Sequence, residues 1–481
     1  MVYVGHYGIG LSPSRPSIPF DKILRQWTVL KFTAEACQNS LDKLIAQDQS
    51  LERFFDSREL RTGGFCATED LHYGIYGQSP RWDWDLFSRS AATVSSVSMR
   101  VDTSVSMQVG IGELSQLCGF LRSESQDDYT QEGFRTALRD LGADQRVIEA
   151  IVASLGDRGQ GAGRWPSSRV PGIYRREHAS LLFRSDTTTV VVDPQALSKN
   201  FTTNGGRYPT DDPDLHIDAV LITHHHEDHW HIPSILYMAQ PDTTVIVPDV
   251  PKPNLLCGER FADSLADVGQ AATVGEWDST VTVGDIEIDI LPFRGEQPTR
   301  GEPGPPPDLR SWGNCYRINT PHFSAVILAD SGVDPSGDIC PSLEASVKKR
   351  GPVDFLFSNC RVFPDGINYG LPHYSLALPF DRLQQIFADR QKGRIESITF
   401  GPSGVADACA AAQARYFLPY AHGFRGLGED PIGEPSGAAL SEASLVGEVK
   451  EAMRHRSPAT QVASWHPGAS VALGGDGLLF G

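Results

Sequence analysis

Apolar positions along the chain follow two rhythms, and the change between them comes near residue 170. Before it, residues 34–55 (AEACQNSLDKLIAQDQSLERFF) and 132–155 (EGFRTALRDLGADQRVIEAIVASL) repeat apolar side chains about every 3.6 positions, which predicts amphipathic helices. An irregular, aromatic-rich stretch with Trp82 and Trp84 lies between them, and a glycine-rich segment at 156–168 predicts a linker. After it come short β-branched or alternating runs at 179–184, 188–193, 217–223, 243–248, 281–293, 314–320, 323–330, 353–358 and 397–401, the pattern of strands. Residues 232–239, 343–349 and 376–390 read as helices between them, the proline-rich 297–308 as a loop that walls or covers a site, 440–454 as a helix and 468–480 as a hairpin. This organisation predicts an α/β chain: a smaller mixed, helix-containing domain over 1–165, then a larger domain over 170–481 made of two packed mixed sheets with outer helices.

Composition narrows the function classes. The 481 residues carry 42 Lys and Arg against 60 Asp and Glu, a formal charge of −18. A phosphate backbone or an anionic membrane needs a concentrated basic face, so neither nucleic acid nor membrane is an expected partner. No apolar run of roughly 18 to 20 residues exists and the first residues lack a signal peptide's basic and apolar regions, so a cytoplasmic protein is expected. The 8 cysteines are scattered without a CxxC pair and read as buried, reduced thiols.

The chemistry is concentrated in IDAVLITHHHEDHWH, residues 217–231, where an apolar strand runs straight into five histidines and two carboxylates. Burying such a group at a strand end is costly unless a cation compensates it, and a metal does so well. His225 and Glu227 alternate away from the other side chains of the cluster and are expected to face outward, while His231 reads as the start of a helix. His178, His322 and His373 are further candidates to line the cleft; His6, His72, His216, His455 and His466 are weaker ones.

His224-x-His226-x-Asp228-His229 is the HxHxDH signature of the metallo-β-lactamase fold, which residues 172 to 425 resemble. The resemblance continues in order: Asp193 ends a strand at the fold's first acidic position, Asp330 ends FSAVILAD where the family has its bridging aspartate, and His422 in YFLPYAHG falls where it has its last histidine. It implies an αββα sandwich with metal ligands at the strand ends and Asp193 acting through the ligand histidines. His373 competes with His422 for the last position; the apolar strand before His422 favours it.

One departure matters. A dizinc hydrolase of this fold has another histidine before the bridging aspartate, but the only histidine between His231 and Asp330 is His322, too close to Asp330 to serve. Glu296, in the segment LPFRGEQP, is the natural substitute. The implied sets are then His224, His226 and Glu296 for one metal and Asp228, His229 and His422 for the other, with Asp330 bridging. Two imidazoles and a terminal carboxylate per metal suit oxygen-activating non-haem iron, whereas zinc has no redox chemistry to use them.

The LPF-x-GEQP pattern and the two-part layout resemble the diiron monooxygenases built on this scaffold, typified by the chloramphenicol-pathway amino-acid β-hydroxylase. That resemblance implies two Fe ions with O₂ as cosubstrate, Glu296 and Asp330 as catalytic ligands, and an aminoacyl substrate tethered to a carrier protein of nonribosomal peptide, and hence antibiotic, biosynthesis. It also implies a homodimer formed through the first domain. Electrons would come from an external reductase, since the chain has no GxGxxG fingerprint and no iron–sulfur cysteine spacing. A free small-molecule substrate remains open. The alternative is a dinuclear zinc hydrolase of an ester, amide or phosphoester, in which a bridging hydroxide is the nucleophile. An acidic carrier would need a local basic patch, for which Arg175-Arg176, Lys348-Lys349-Arg350 and Arg390 with Lys392 and Arg394 are candidates, each also readable as a solvated helix end or loop.

Overall fold

The computed structural model describes residues 7–14, 81–88, 104–107 and 131–140 and, with single positions excepted, 170–195, 215–297, 308–363, 397–421 and 442–481, together with a few positions in 145–149 and 385–394. The expected helices at 34–55 and 376–390, the linker, the proline-rich loop, His373 and His422 lie wholly or largely outside these residues, and Glu227 does too.

In the first part of the chain, β1 (Tyr7–Ser14), β2 (Arg81–Ser88) and β3 (Ser104–Met107) form an antiparallel sheet in that order, with Trp82 and Trp84 on β2. Helix α1 (Gln131–Asp140) covers the beginning of the amphipathic segment read at 132–155.

From 170 onward two mixed sheets face each other across a shared apolar core. One sheet contains β4 (Gly172–Arg175), β5 (Leu181–Arg184), β6 (Thr189–Val192), β7 (Ala219–Leu221), β8 (Thr244–Pro248) and β9 (Thr273–Gly275), and β4 is flanked by the closing hairpin β17 (Ser470–Gly474) and β18 (Gly477–Phe480). The other runs in order through β10 (Thr280–Val283), β11 (Ile286–Pro292), β12 (Asn314–Asn319), β13 (Ser324–Ala329), β14 (Phe355–Ser358), β15 (Tyr416–Pro419) and β16 (Gln461–Val462). Helices α2 (Ile232–Met238) and α3 (Phe261–Asp267) belong to the first half of this region; α4 (Cys340–Arg350), α5 (Gly401–Ala412) and α6 (Glu442–Arg456) to the second.

Strand alternation explains the layers. On β13, Ala325, Ile327 and Ala329 point into the core between the sheets, while Val326 and Leu328 join a second core with Leu343 of α4, Val405 of α5 and Val449 of α6. Strand β14 repeats this, with Phe355 and Phe357 facing inward and Leu356 outward. A period of 2 places successive side chains on opposite faces, so strands buried on both faces must be apolar throughout.

Three expectations change. The run 281–293 is two strands, because Gly284 turns it into the β10–β11 hairpin. Residues 397–400 are not a strand: the Ile398 carbonyl accepts Glu296 N–H and its N–H donates to Phe363 O, so the segment props a loop before α5 begins. Arg175 and Arg176 are 1% and 4% exposed, with the Arg175 guanidinium donating to Trp465 O, so they are interior groups and not a docking patch. Lys349 and Arg350 are engaged by Asp289 and Glu287, and Arg394 by Asp389. Among the described residues the cysteines are free thiols and no helix is long and apolar enough to cross a membrane.

Candidate metal centre

Strands β6, β7 and β8 are mutually parallel, as are β13, β14 and β15, and β11 shares the direction of β13 because both are antiparallel to β12. Their carboxyl ends therefore gather polar side chains from distant parts of the chain at one edge of the sandwich. Asp193 follows β6, Thr223 and His224 follow β7, Glu296 follows β11, Asp330 follows β13 and Asn359 follows β14.

Two clusters result. In the first, Glu296 Oε2 lies 3.0 Å from His224 Nε2 and 2.9 Å from His226 Nδ1, and those two nitrogens are 3.2 Å apart. In the second, His229, Asp228 and His178 converge, with His178 Nε2 2.8 Å from Asp228 Oδ2. Asp330 joins them: its Oδ2 is 3.2 Å from His229 Nε2 and 3.9 Å from His224 Nε2. Its Oδ1 is taken by Asn359, whose amide donates to it at 2.8 Å, so one oxygen alone is turned to both clusters.

A hydrogen-bond chain selects the ring nitrogens. Thr223 N–H and Oγ1–H donate to the two oxygens of Asp193 at 2.8 and 2.6 Å, and His229 Nδ1 donates to Asp193 Oδ2 at 2.7 Å. With its proton committed to Asp193, Thr223 Oγ1 accepts from His224 Nδ1 at 3.0 Å. In their neutral form both rings thereby turn Nε2, with the lone pair a metal needs, toward the clusters. Phe293 stacks on the His224 ring, centroids 5.0 Å apart. Gly313 makes this stacking possible: a Cβ there would lie 2.7 Å from Thr223 O and 2.8 Å from Phe293 Cγ. Gly295 likewise lets the Glu296 loop approach Gly332 and Ile398, with φ of +91°.

Left-handed backbone is concentrated here. His178, Asp193, Glu296, Ala329 and Ala421 all have φ between 45° and 62°, and each is a site residue or next to one in sequence. Such conformations cost L-residues roughly 1–2 kcal/mol each, and they persist where surrounding contacts over-determine them. At the end of β13 the pairing with β14 also slips between Ile327 and Ala329, a bulge that re-aims Asp330.

The electrostatics call for cations. Asp193, Asp228, Glu296 and Asp330 bring four carboxyl groups up to the imidazoles, and as carboxylates they would be balanced by two divalent ions. Burial of Asp193 raises its pKa. Burial holds His224 well below the usual imidazole value, reinforced by His229 and His226. For His226 burial acts downward but Glu296 overcomes it, and for His229 it is overcome by Asp330, Asp193 and Asp228, so both are raised. Asp228 is held well below the carboxylate range because His229 and His178 outweigh its burial. Glu296 Oε2 and His229 Nε2 are buried without a hydrogen-bond partner, although both face the centre of their cluster. The protons favoured on His226 and His229 stand where metal ions fit, so the donor set suits a two-metal centre.

The structure brings together His224, His226, Asp228, His229, Glu296 and Asp330 of the expected ligands; His422 is outside the described residues, and Ala421, just before it, is within them. Asp193 takes the expected role. His231 caps α2, accepting Ser234 N–H, and His322 sits away from the cleft beside Asp186. His225 lies 3.4 Å from Ser311 Oγ, outside both clusters. His178 is more than a lining residue, while Thr223 and Asn359 had no sequence signal beyond their place at strand ends.

Residues 188–420 match the family profile of the beta-lactamase superfamily domain. No curated protein matches the sequence significantly. Among solved structures, CmlA, a diiron β-hydroxylase from Streptomyces venezuelae, is similar with a TM-score of 0.55 and 16% identity over 96% of this chain and 97% of that one. A mutant of the CmlA β-hydroxylase gives 0.56 and 16% over 96% and 98%. A putative metal-dependent hydrolase from Parabacteroides distasonis is 17% identical over 61% of this chain and 91% of its own, with a TM-score of 0.35. Residues 188–420 thus resemble a beta-lactamase superfamily domain, and the chain has the metallo-β-lactamase fold in the arrangement seen in CmlA.

Proposed function

We propose that this protein is a non-haem diiron monooxygenase that hydroxylates an amino-acid-derived substrate, loaded on a carrier protein in nonribosomal peptide biosynthesis, with electrons from a separate reductase. The observation that carries the reading is the Glu296 carboxylate, 3.0 and 2.9 Å from His224 and His226, where a dizinc hydrolase of this fold has an imidazole. The three donor atoms are 2.9 to 3.2 Å apart. Two imidazoles and a carboxylate are the donor set associated with oxygen-activating non-haem iron.

His224, His226 and Glu296 would hold one iron and Asp228, His229 and His422 the other, with Asp330 shared. Bound iron would supply the activation of O₂. The protein's residues keep the ligand geometry: Asp193 and Thr223 fix both imidazole tautomers, Asn359 fixes the orientation of Asp330, and the backbone at Ile398 anchors Glu296. The overall likeness to CmlA, a β-hydroxylase, supports hydroxylation as the reaction class.

Metal analysis of protein purified without added metal tests the reading. Two irons per chain with an oxo-type near-ultraviolet absorption are expected; two zincs with esterase activity would overturn it. Glu296→His should shift metal preference toward zinc and abolish O₂-dependent turnover, and continued oxygenation in that variant would remove Glu296 from its assigned role. Comparing turnover of free and carrier-loaded amino acid tests the substrate, and a preference for the free form would exclude the carrier.

A further inference from the structure

His178 is held in an unusual backbone state to make two contacts that converge on one half of the centre. It sits in the turn between β4 and β5 with φ of +49°, 7% exposed, and its ring meets that of His229 edge to face at 5.6 Å. Its Nε2 lies 2.8 Å from Asp228 Oδ2. Its carbonyl accepts Ala421 N–H at 3.2 Å, and Ala421, itself at φ +62°, is the residue before His422 in the chain. One residue therefore ties the loop carrying Asp228 to the end of the β15 segment, across 50 and 243 positions of sequence.

We infer that His178 is the positioning residue of the second metal site, its Nε2–H fixing the Asp228 carboxylate while its carbonyl holds the Ala421 backbone. The inference rests on the two-metal reading of this site, though not on the metals being iron. Donation to a ligand carboxylate restricts its rotation and selects which oxygen faces the ion, and outer partners of this kind are typically worth 10- to 100-fold in metal affinity. In the first site His224 is ordered by packing and by Asp193 through Thr223, and Glu296 by the backbone at Ile398. The effect should therefore be confined to one ion of the pair. His178 Nε2 at 2.8 Å could equally stand beside Asp228 as a ligand in its own right, and the choice of variants separates the two roles.

Metal-free full-length protein, His178→Ala and His178→Gln are titrated anaerobically with ferrous ion and, separately, with zinc, and both stepwise affinities are read by calorimetry with metal content checked after gel filtration. Gln places an amide N–H near the position of Nε2, and both variants bear the same left-handed backbone cost, so their difference isolates the side-chain bond. Expected is a second-ion affinity about 10- to 100-fold weaker in His178→Ala, largely restored in His178→Gln, with first-ion affinity unchanged in both. An unchanged second ion, equal weakening of both ions, or a Gln variant as weak as the Ala variant would overturn the positioning role; the last outcome would make His178 a ligand. Should His178→Ala fail to fold, weakened second-ion binding in a folded His178→Gln would itself overturn the proposal. A wild-type chain that binds fewer than two ions would instead refute the two-metal reading.

Discussion

The two halves of the candidate metal centre are built by different means. The first half, with His224, His226 and Glu296, is sealed by packing: the Glu296 side chain is 5% exposed, Phe293 lies flat on His224, and Gly313 and Gly295 admit approaches that a Cβ would forbid. In the second half the Asp228 side chain is 35% exposed, and hydrogen bonds from His178 and to Asp193 set the ligands. Close packing has few alternative arrangements, so it fixes geometry without depending on protonation. A hydrogen-bonded half depends on each partner being present but leaves an accessible side.

The sharpest way to break the contrast is Asp330→Ala, because Asp330 Oδ2 faces both halves. Both ions should be lost, with metal content after gel filtration falling from two to well below one per chain. The affinity loss should exceed the roughly 10- to 100-fold associated with outer partners; a first ion retained at wild-type affinity would show that the halves are independent. Asp193→Asn comes next. Asn tolerates the left-handed φ at this position but replaces an acceptor oxygen with a donor amide facing the Thr223 hydroxyl and His229 Nδ1. Both stepwise affinities should weaken about 10- to 100-fold, and weakening of the second ion alone would mean that the link through Thr223 to His224 has no energetic weight. The smallest effect is expected for Gly313→Ala, where the added methyl meets Thr223 O and Phe293. Denaturant unfolding of the metal-free protein should show a loss of about 1–3 kcal/mol, with first-ion affinity reduced and the second unaffected. No change in stability would remove packing as the basis of the first half's rigidity.

Much of the centre was legible because its densest part is local. HxHxDH places four candidate ligands within six residues, and a buried strand running into that cluster has few cheap explanations other than metal. Glu296 was readable for a different reason: the resemblance to the fold calls for a donor after this strand, no suitable histidine stands there, and Glu296 is the natural substitute. The edges of elements were harder. Residues 397–400 have the composition of a strand, yet the Ile398 backbone groups are used by Glu296 and Phe363, partners far along the chain. Arg175 and Arg176 look like a surface pair in sequence but are buried, because the closing segment of the chain covers them and Trp465 supplies a carbonyl.

From the sequence came the sandwich of mixed sheets, through strand periodicity, and, through the resemblance to the metallo-β-lactamase fold, the order of the candidate donors and a carboxylate where that fold has a third histidine. Only the tertiary structure decided which atoms meet. His178 reaches Asp228 across 50 positions, Asn359 reaches Asp330 across 29, and Asp193 serves two histidines through one threonine hydroxyl. Such contacts depend on the register and direction of parallel strands brought together by a common core, and no periodicity in the chain encodes a meeting between side chains at the ends of different strands.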